Sequence, residues 1–377
     1  MRLTLIPYLI VATTVVLAAA PVPGTAGNGI IDDTAALQRA IDSLPAYGVL
    51  DGGGATYLTG TLRLKSRMTM QNFFLKTRPS SVPLVAPVTL DGTVAPITEV
   101  RINNVQIDGN RKAQTNLQTA EDGGRDGFRI VGVARDIWIL NSSAANCATD
   151  GLKIFSADTL PPAGSLNFTN IFIISSTFQN NRRHGASVDS IRNAHFINVQ
   201  LNNNGLASTG TGGTLTEGES AYLVDGMLYG AGLVVEGYSP AQTVDDLSIV
   251  FCTAMGNARF GIQFWEASPP SASGFVPRAN IRIESSRVDG GVSPTHGRQA
   301  IEFNVPSANL GAGYVYRNVM LTDNWIVGTV IANAVDEFRM IGGTVQSPYA
   351  GFYGISQASR DIVVQSVDSA GKIFVLE

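Results

Sequence analysis

The sequence predicts an all-β chain wound as a single-stranded right-handed parallel β-helix, a solenoid, with one short N-terminal capping helix. Three observations predict it. First, the 377 residues include 40 Gly, only 15% are charged, and the 44% that are hydrophobic rarely form helical stripes. They fall into short runs such as Ile137 to Leu140, Ile171 to Ile174 and Leu247 to Phe251, followed by Ser, Asn, Thr or Gly, the grammar of strands and turns. Second, a unit of Gly followed by alternating apolar residues recurs at unequal intervals, which means a constant rung with loops of variable length. Third, the Asn-Gly and Asp-Gly turns that a meander of hairpins requires are mostly missing. Parallel crossovers within one sheet are right-handed.

Residues 1–27 form an apolar N-terminal segment with two readings. Met1-Arg2 and the apolar stretch to Ala20 match a secretory signal ending at Ala18-Ala19-Ala20, although Pro7 interrupts the run and Pro21 follows the cleavage point. Ala12 to Ala20, rich in Thr and Val, equally suits a cap strand. The stretch is short and β-branched for a membrane span, and none is expected in the mature protein. Residues 28–377 form one β-helix domain without a linker. Leu37, Ala40, Ile41 and Leu44 are spaced for one helix face, with Asp32 or Asp33 as its cap and Pro45 past its end. Such a helix plugs the open edge of the first rung.

The anchor units are Gly127-Phe128-Arg129-Ile130, Gly151-Leu152-Lys153-Ile154, Gly185-Ala186-Ser187-Val188, Gly232-Leu233-Val234-Val235, Gly261-Ile262-Gln263-Phe264 and Ala300-Ile301-Glu302-Phe303. A second strand precedes most of them, as in Ile137-Trp138-Ile139, Ile171-Phe172-Ile173 and Ile281-Arg282-Ile283. Leu206 to Tyr229 and Pro269 to Pro277 are the long irregular insertions, which in a solenoid gather on one side and often bind.

Stacked rungs turn this alignment into a spatial map. The first and third positions after each anchor are apolar and face inward. The second forms an outward column of Arg129, Lys153, Ser187, Val234, Gln263 and Glu302. The fourth forms another, of Val131, Phe155, Asp189, Glu236, Trp265 and Asn304. Asp189 and Glu236 thereby become rung neighbours, near the ~5–5.5 Å separation of a retaining glycosidase, one as nucleophile and the other as acid. Crowding raises the pKa of one carboxyl, as an acid catalyst needs. Trp265 offers a flat face to a sugar, and Glu266 is a further acid. The bland alternative is solvated wall charge.

Arg182, Arg183 and His184 precede one anchor, with Arg259 and Arg298 at matching places and Lys153 and Arg129 in the first column. A lyase uses Arg or Lys against a uronate carboxylate and His, Lys or Arg as base, so His184 joins the catalytic candidates and Arg182, Arg183, Lys153 and Arg259 the substrate-binding ones. Asp150 aligns with His184 as an acid partner. Asn141-Ser142-Ser143, Asn180-Asn181 and Asn202-Asn203-Asn204 read as structural amide stacks. Gly52-Gly53-Gly54 lacks the Lys-Ser or Lys-Thr of a phosphate loop. A net charge of −4 without basic runs argues against nucleic acid. Cys147 and Cys252 read as two buried thiols, and neither a metal nor a cofactor is expected.

Asp32-Asp33-Thr34-Ala35-Ala36-Leu37-Gln38, Leu50-Asp51-Gly52-Gly53-Gly54 with Tyr57-Leu58, Asn181-Arg182-Arg183-His184-Gly185 and Gly232-Leu233-Val234-Val235-Glu236 resemble the pectate-lyase-like superfamily of right-handed β-helices, over roughly residues 28 to 377. Within it, Ile107-Asp108-Gly109-Asn110-Arg111 through Asp126-Gly127 looks most like the tailspikes and depolymerases of tailed bacteriophages. That resemblance implies an intertwined homotrimer in a virion tail, beside other tail proteins, that binds and often cleaves host capsule or lipopolysaccharide. Polygalacturonase motifs are echoed only by Ala148-Thr149-Asp150-Gly151 and His184-Gly185, and the Arg-x-Pro-x-x-Arg of pectate lyases is absent, so pectin is not the implied substrate. Three functions follow: a tailspike-like polysaccharide depolymerase acting by hydrolysis or lyase chemistry, a secreted pectate-lyase-like enzyme, and an adhesive spike without catalysis.

Overall fold

The computed structural model describes residues 21–80, 86–115, 125–156, 168–207, 227–238, 242–266, 278–291, 299–305, 314–346 and 359–369, with short pieces at 220–221, 223–224, 240, 272, 275–276, 354–355 and 372–376. The apolar segment before residue 21, Arg298, and most of the Leu206 to Tyr229 and Pro269 to Pro277 insertions lie outside the described residues.

The coil has three walls. The anchor wall stacks in the expected register, Phe128 on Leu152, then Ala186, Leu233, Ile262 and Ile301, each pair parallel. A second wall holds Phe168–Ile174, Ile191–Ile197, Val244–Val250, Arg278–Glu284, Tyr316–Thr322 and Val335–Ile341. The third is made of shorter strands, Ser143–Ala145, Thr177–Gln179, Arg287–Asp289, Trp325–Val327 and Thr344–Gln346. Each coil runs from the second wall to the third, then to the anchor wall.

The anchor glycines are a packing requirement. A Cβ on Gly185 would sit 2.5 Å from the carbonyl oxygen of Gly232 on the next rung, so a side chain there would push adjacent coils apart. Bends between walls place Asn104, Asn141, Asn180 and Asn203 at φ of 52°, 48°, 57° and 58°, the left-handed region that asparagine tolerates best among residues with a side chain. Inside the coil, apolar side chains stack rung on rung; Phe264 and Phe303 lie 4.5 Å apart and 9° from parallel.

At the N-terminal end the helix Thr34–Ser43 buries Leu37 and Ile41 in the core. Its cap divides between the two expected residues. Asp33 occupies the N-cap position without a side-chain cap bond, because its carboxylate accepts the N–H groups of Ala26 at 2.6 Å and Gly27 at 3.1 Å. Asp32 accepts the Thr34 N–H at 2.9 Å instead. Among the described residues no helix is long and apolar enough to cross a membrane.

Candidate active site on the anchor wall

Ser187 pairs with both Lys153 and Val234, and Glu236 with Trp265. Asp189 follows Val188, whose partner Val235 precedes Glu236, so the two carboxylates lie on adjacent rungs. The wall they occupy is covered rather than solvated: Asp189 is 5% and Glu236 6% exposed, and Ser187 and Val234 are fully buried. Part of the cover is a small cluster outside the coil, in which Tyr229 packs against Ala231, Val234 and Phe260.

Lys153 joins the two acids. Its Nζ lies 3.8 Å from Asp189 Oδ1 and 3.6 Å from Glu236 Oε2, and it donates to Ser187 Oγ at 2.8 Å, which in turn donates to Glu236 Oε2 at 3.2 Å. Those two oxygens can be no further apart than the two ion-pair distances laid end to end, short of the ~9.5 Å limit of inverting pairs.

The surroundings drive the carboxyls in opposite directions. Burial dominates at Asp189 and raises it to about 7, with Lys153 opposing and Glu236 adding to the rise. Burial also raises Glu236, but Lys153, His184 and Arg183, with a hydrogen bond from Tyr238, overcome it and leave the group below its ordinary value. Asp189 thus favours the acid and Glu236 the carboxylate.

Behind them stands a fixed polar layer. Arg183 donates through Nε to Asp150 Oδ1 at 2.8 Å and through Nη2 to Oδ2, and the His184 N–H reaches the same Oδ1 at 3.0 Å. Burial pushes the Asp150 carboxyl up, yet Arg183 holds it well below the carboxylate range. His184 Nδ1 accepts the Ala231 N–H at 3.0 Å, and burial lowers the ring to about 4. His184 is thus a buried, neutral imidazole whose Nδ1 is already bonded to the backbone. Arg182 is 9% exposed.

Glu266 departs from its expected role. It is fully buried and paired with Arg278, whose Nε lies 2.8 Å from Oε2. Alternation explains this, because Glu266 is the fifth residue after Gly261 and shares the inward parity of Ile262 and Phe264. Trp265 is half-buried, and its ring meets Tyr238 at 5.4 Å. Arg259 spreads over Tyr229 at 5.5 Å and Phe260 at 4.6 Å. Gln263 donates to Glu302 at 2.7 Å one rung on.

Sequence reasoning brought together Asp189, Glu236, Lys153, Arg183, His184 and Trp265. It passed over Ser187 as a bridge and Tyr238 as a partner of Glu236. Ser187 was legible from its column; Tyr238 lies past the strand Ala231–Gly237, where alternation no longer predicts direction.

No protein-family model and no curated protein matches the chain. Solved structures do. The A-module of a mannuronan C-5 epimerase from Azotobacter vinelandii is similar at 16% identity, with 92% of this chain and 93% of that one covered and a TM-score of 0.50. The chain has a parallel β-helix fold. PfbA, a surface adhesin of Streptococcus pneumoniae, follows at 12% identity, 92% and 83% coverage and a TM-score of 0.49. Gene product 12 of bacteriophage phi29, before maturation, has 15% identity, 92% and 51% coverage and a TM-score of 0.48. At such identities the likeness concerns architecture, and activity must be argued from the site.

Proposed function

We propose that the protein binds and depolymerises a bacterial surface polysaccharide by glycosidic hydrolysis, with Asp189 as general acid and Glu236 as nucleophile. The observation that carries this reading is the pair of buried carboxylates on adjacent rungs, tied to one ammonium and biased to opposite protonation states. Below about pH 7, Asp189 can give a proton to the leaving oxygen while Glu236 attacks the anomeric carbon. In this retaining reading, water later hydrolyses the glycosyl-enzyme with Asp189 acting as base. Lys153 and Tyr238 hold the Glu236 charge. Trp265, beside Tyr238, supplies the face for a sugar ring, and Arg259 and Arg182, before the anchor strands at the other end of the wall, are further binding groups.

Lyase chemistry is the weaker reading, because His184 is buried with Nδ1 engaged by backbone. The tailspike resemblance extends the proposal to a homotrimer in a virion tail, in contact with other tail proteins. Incubation with a panel of bacterial capsules and lipopolysaccharides tests the chemistry. Hydrolysis yields new reducing ends without the absorbance of an unsaturated uronate. Appearance of that absorbance would mean elimination, and intact polymer that is nevertheless bound would mean an adhesive spike.

A further inference from the structure

The second wall carries an outward column that the proposed cleavage does not use. Arg101, Trp138, Phe172 and His195 follow one another rung by rung, while their strand neighbours Ile137, Ile139, Ile171 and Ile173 are buried in the core. Trp138 and Phe172 stack at 5.9 Å and 7°, Phe172 and His195 at 5.1 Å and 13°. Stacking uses both faces of Phe172 but only one of Trp138. The other indole face turns toward the Arg101 rung. There a cavity of about 250 Å³ is lined by Tyr47, Met68, Thr69, Glu99, Arg101 and Trp138.

Size and charge define an occupant. The cavity is smaller than the ~300–1,000 Å³ of pockets for drug-sized ligands, which suits one sugar ring and excludes a protein segment. Glu99 is already engaged, accepting from Tyr47 Oη at 2.9 Å and from Arg67 Nε at 3.2 Å. Arg101 is exposed, and among the described residues its guanidinium has no carboxylate partner. The cavity therefore offers an aromatic face and a free cation together. Sugar rings lay their C–H faces on indoles as apolar surface, and a guanidinium takes a carboxylate bidentately.

We propose that this cavity is a second, non-catalytic glycan site that takes one acidic sugar residue, its ring on Trp138 and its carboxylate on Arg101. It lies on a different wall from Asp189 and Glu236, so a long acidic polymer held there would be presented to the acid pair at raised effective concentration. The site stands whether or not the acid pair cleaves.

Titrating the full chain with tetrasaccharides of glucuronate, galacturonate and mannuronate, and with neutral maltotetraose, tests it by calorimetry. At least one acidic probe is expected to bind with an affinity that falls about tenfold or more in R101A and in W138A, less in R101K and W138F, and further with salt. Maltotetraose should not compete. The parent binding none of the acidic probes, or R101A and W138A binding them as the parent does, overturns the proposal. So does a change in the native mass of these variants with unchanged glycan affinity, which would make the wall a contact between copies.

Discussion

Asp189 and Glu236 carry the same functional group and differ only in what surrounds it. Because Asp189 titrates near 7 and Glu236 below its ordinary value, the rate should follow a bell whose alkaline limb reports Asp189. Lys153 lowers both groups, so K153M should move both limbs, and the optimum, to higher pH; kcat/KM against pH reads this. The same shift bears on stability. The folded Asp189 keeps a proton, up to about pH 7, that the unfolded chain releases near 3.8. Its contribution to stability is therefore full at low pH and is lost as pH rises through 7. D189N removes that loss, so its melting temperature should gain on the parent's steadily between about pH 4 and pH 8, a stability gained where function is given up. The acid pair was legible because strand alternation has a period of two and the anchor glycines fix its phase. The same parity marks Glu266 as inward, toward Arg278, whereas the hydroxyl of Tyr238 lies beyond the strand that alternation governs.

The bends between walls explain the many asparagines. Asn181, Asn204 and Asn257 form a buried amide ladder: Asn181 Nδ2 donates to Asn204 Oδ1 at 3.1 Å, and Asn204 Nδ2 to Asn257 Oδ1 at 3.0 Å. Each Oδ1 also accepts a backbone N–H, from Cys147, Asn181 and Asn204 in turn, at 3.0 to 3.1 Å. N204A would leave several of these groups buried and unpaired, at about 1–3 kcal/mol each, read as a lower denaturation midpoint. The Asn-rich turns made the ladder legible as structure, while the choice between Asp32 and Asp33 as the bonded cap was not. Asp33 turns back to the chain at Ala26 and Gly27, a tertiary choice that no local capping rule contains. The Arg111 guanidinium is another such case, donating to the carbonyls of Asn180, Leu206 and Ser220 at 3.0, 3.0 and 3.1 Å and so tying the bend to the long insertion.

A solenoid's stability is a sum over rungs and their interfaces. Phe264, stacked on Phe303 and edge-on to Tyr316 at 6.4 Å, joins rungs in the C-terminal half. F264A should cost about 3–5 kcal/mol, and hydrogen exchange should show the rungs after residue 264 losing more protection than those before residue 200. The architecture was legible because every rung repeats the same inward pattern. The cover of the anchor wall was not, since it comes from residues such as Tyr229 and Tyr238 that belong to no repeat. The central claim is that Asp189 and Glu236 cleave a polysaccharide on this wall, and reducing ends released from a surface polysaccharide by the parent, D189N and E236Q, at equal concentration and with matching circular dichroism, test it most directly. The expected result is turnover by the parent and a loss of about 10²-fold or more in each variant; parent-like release by either folded variant would contradict it.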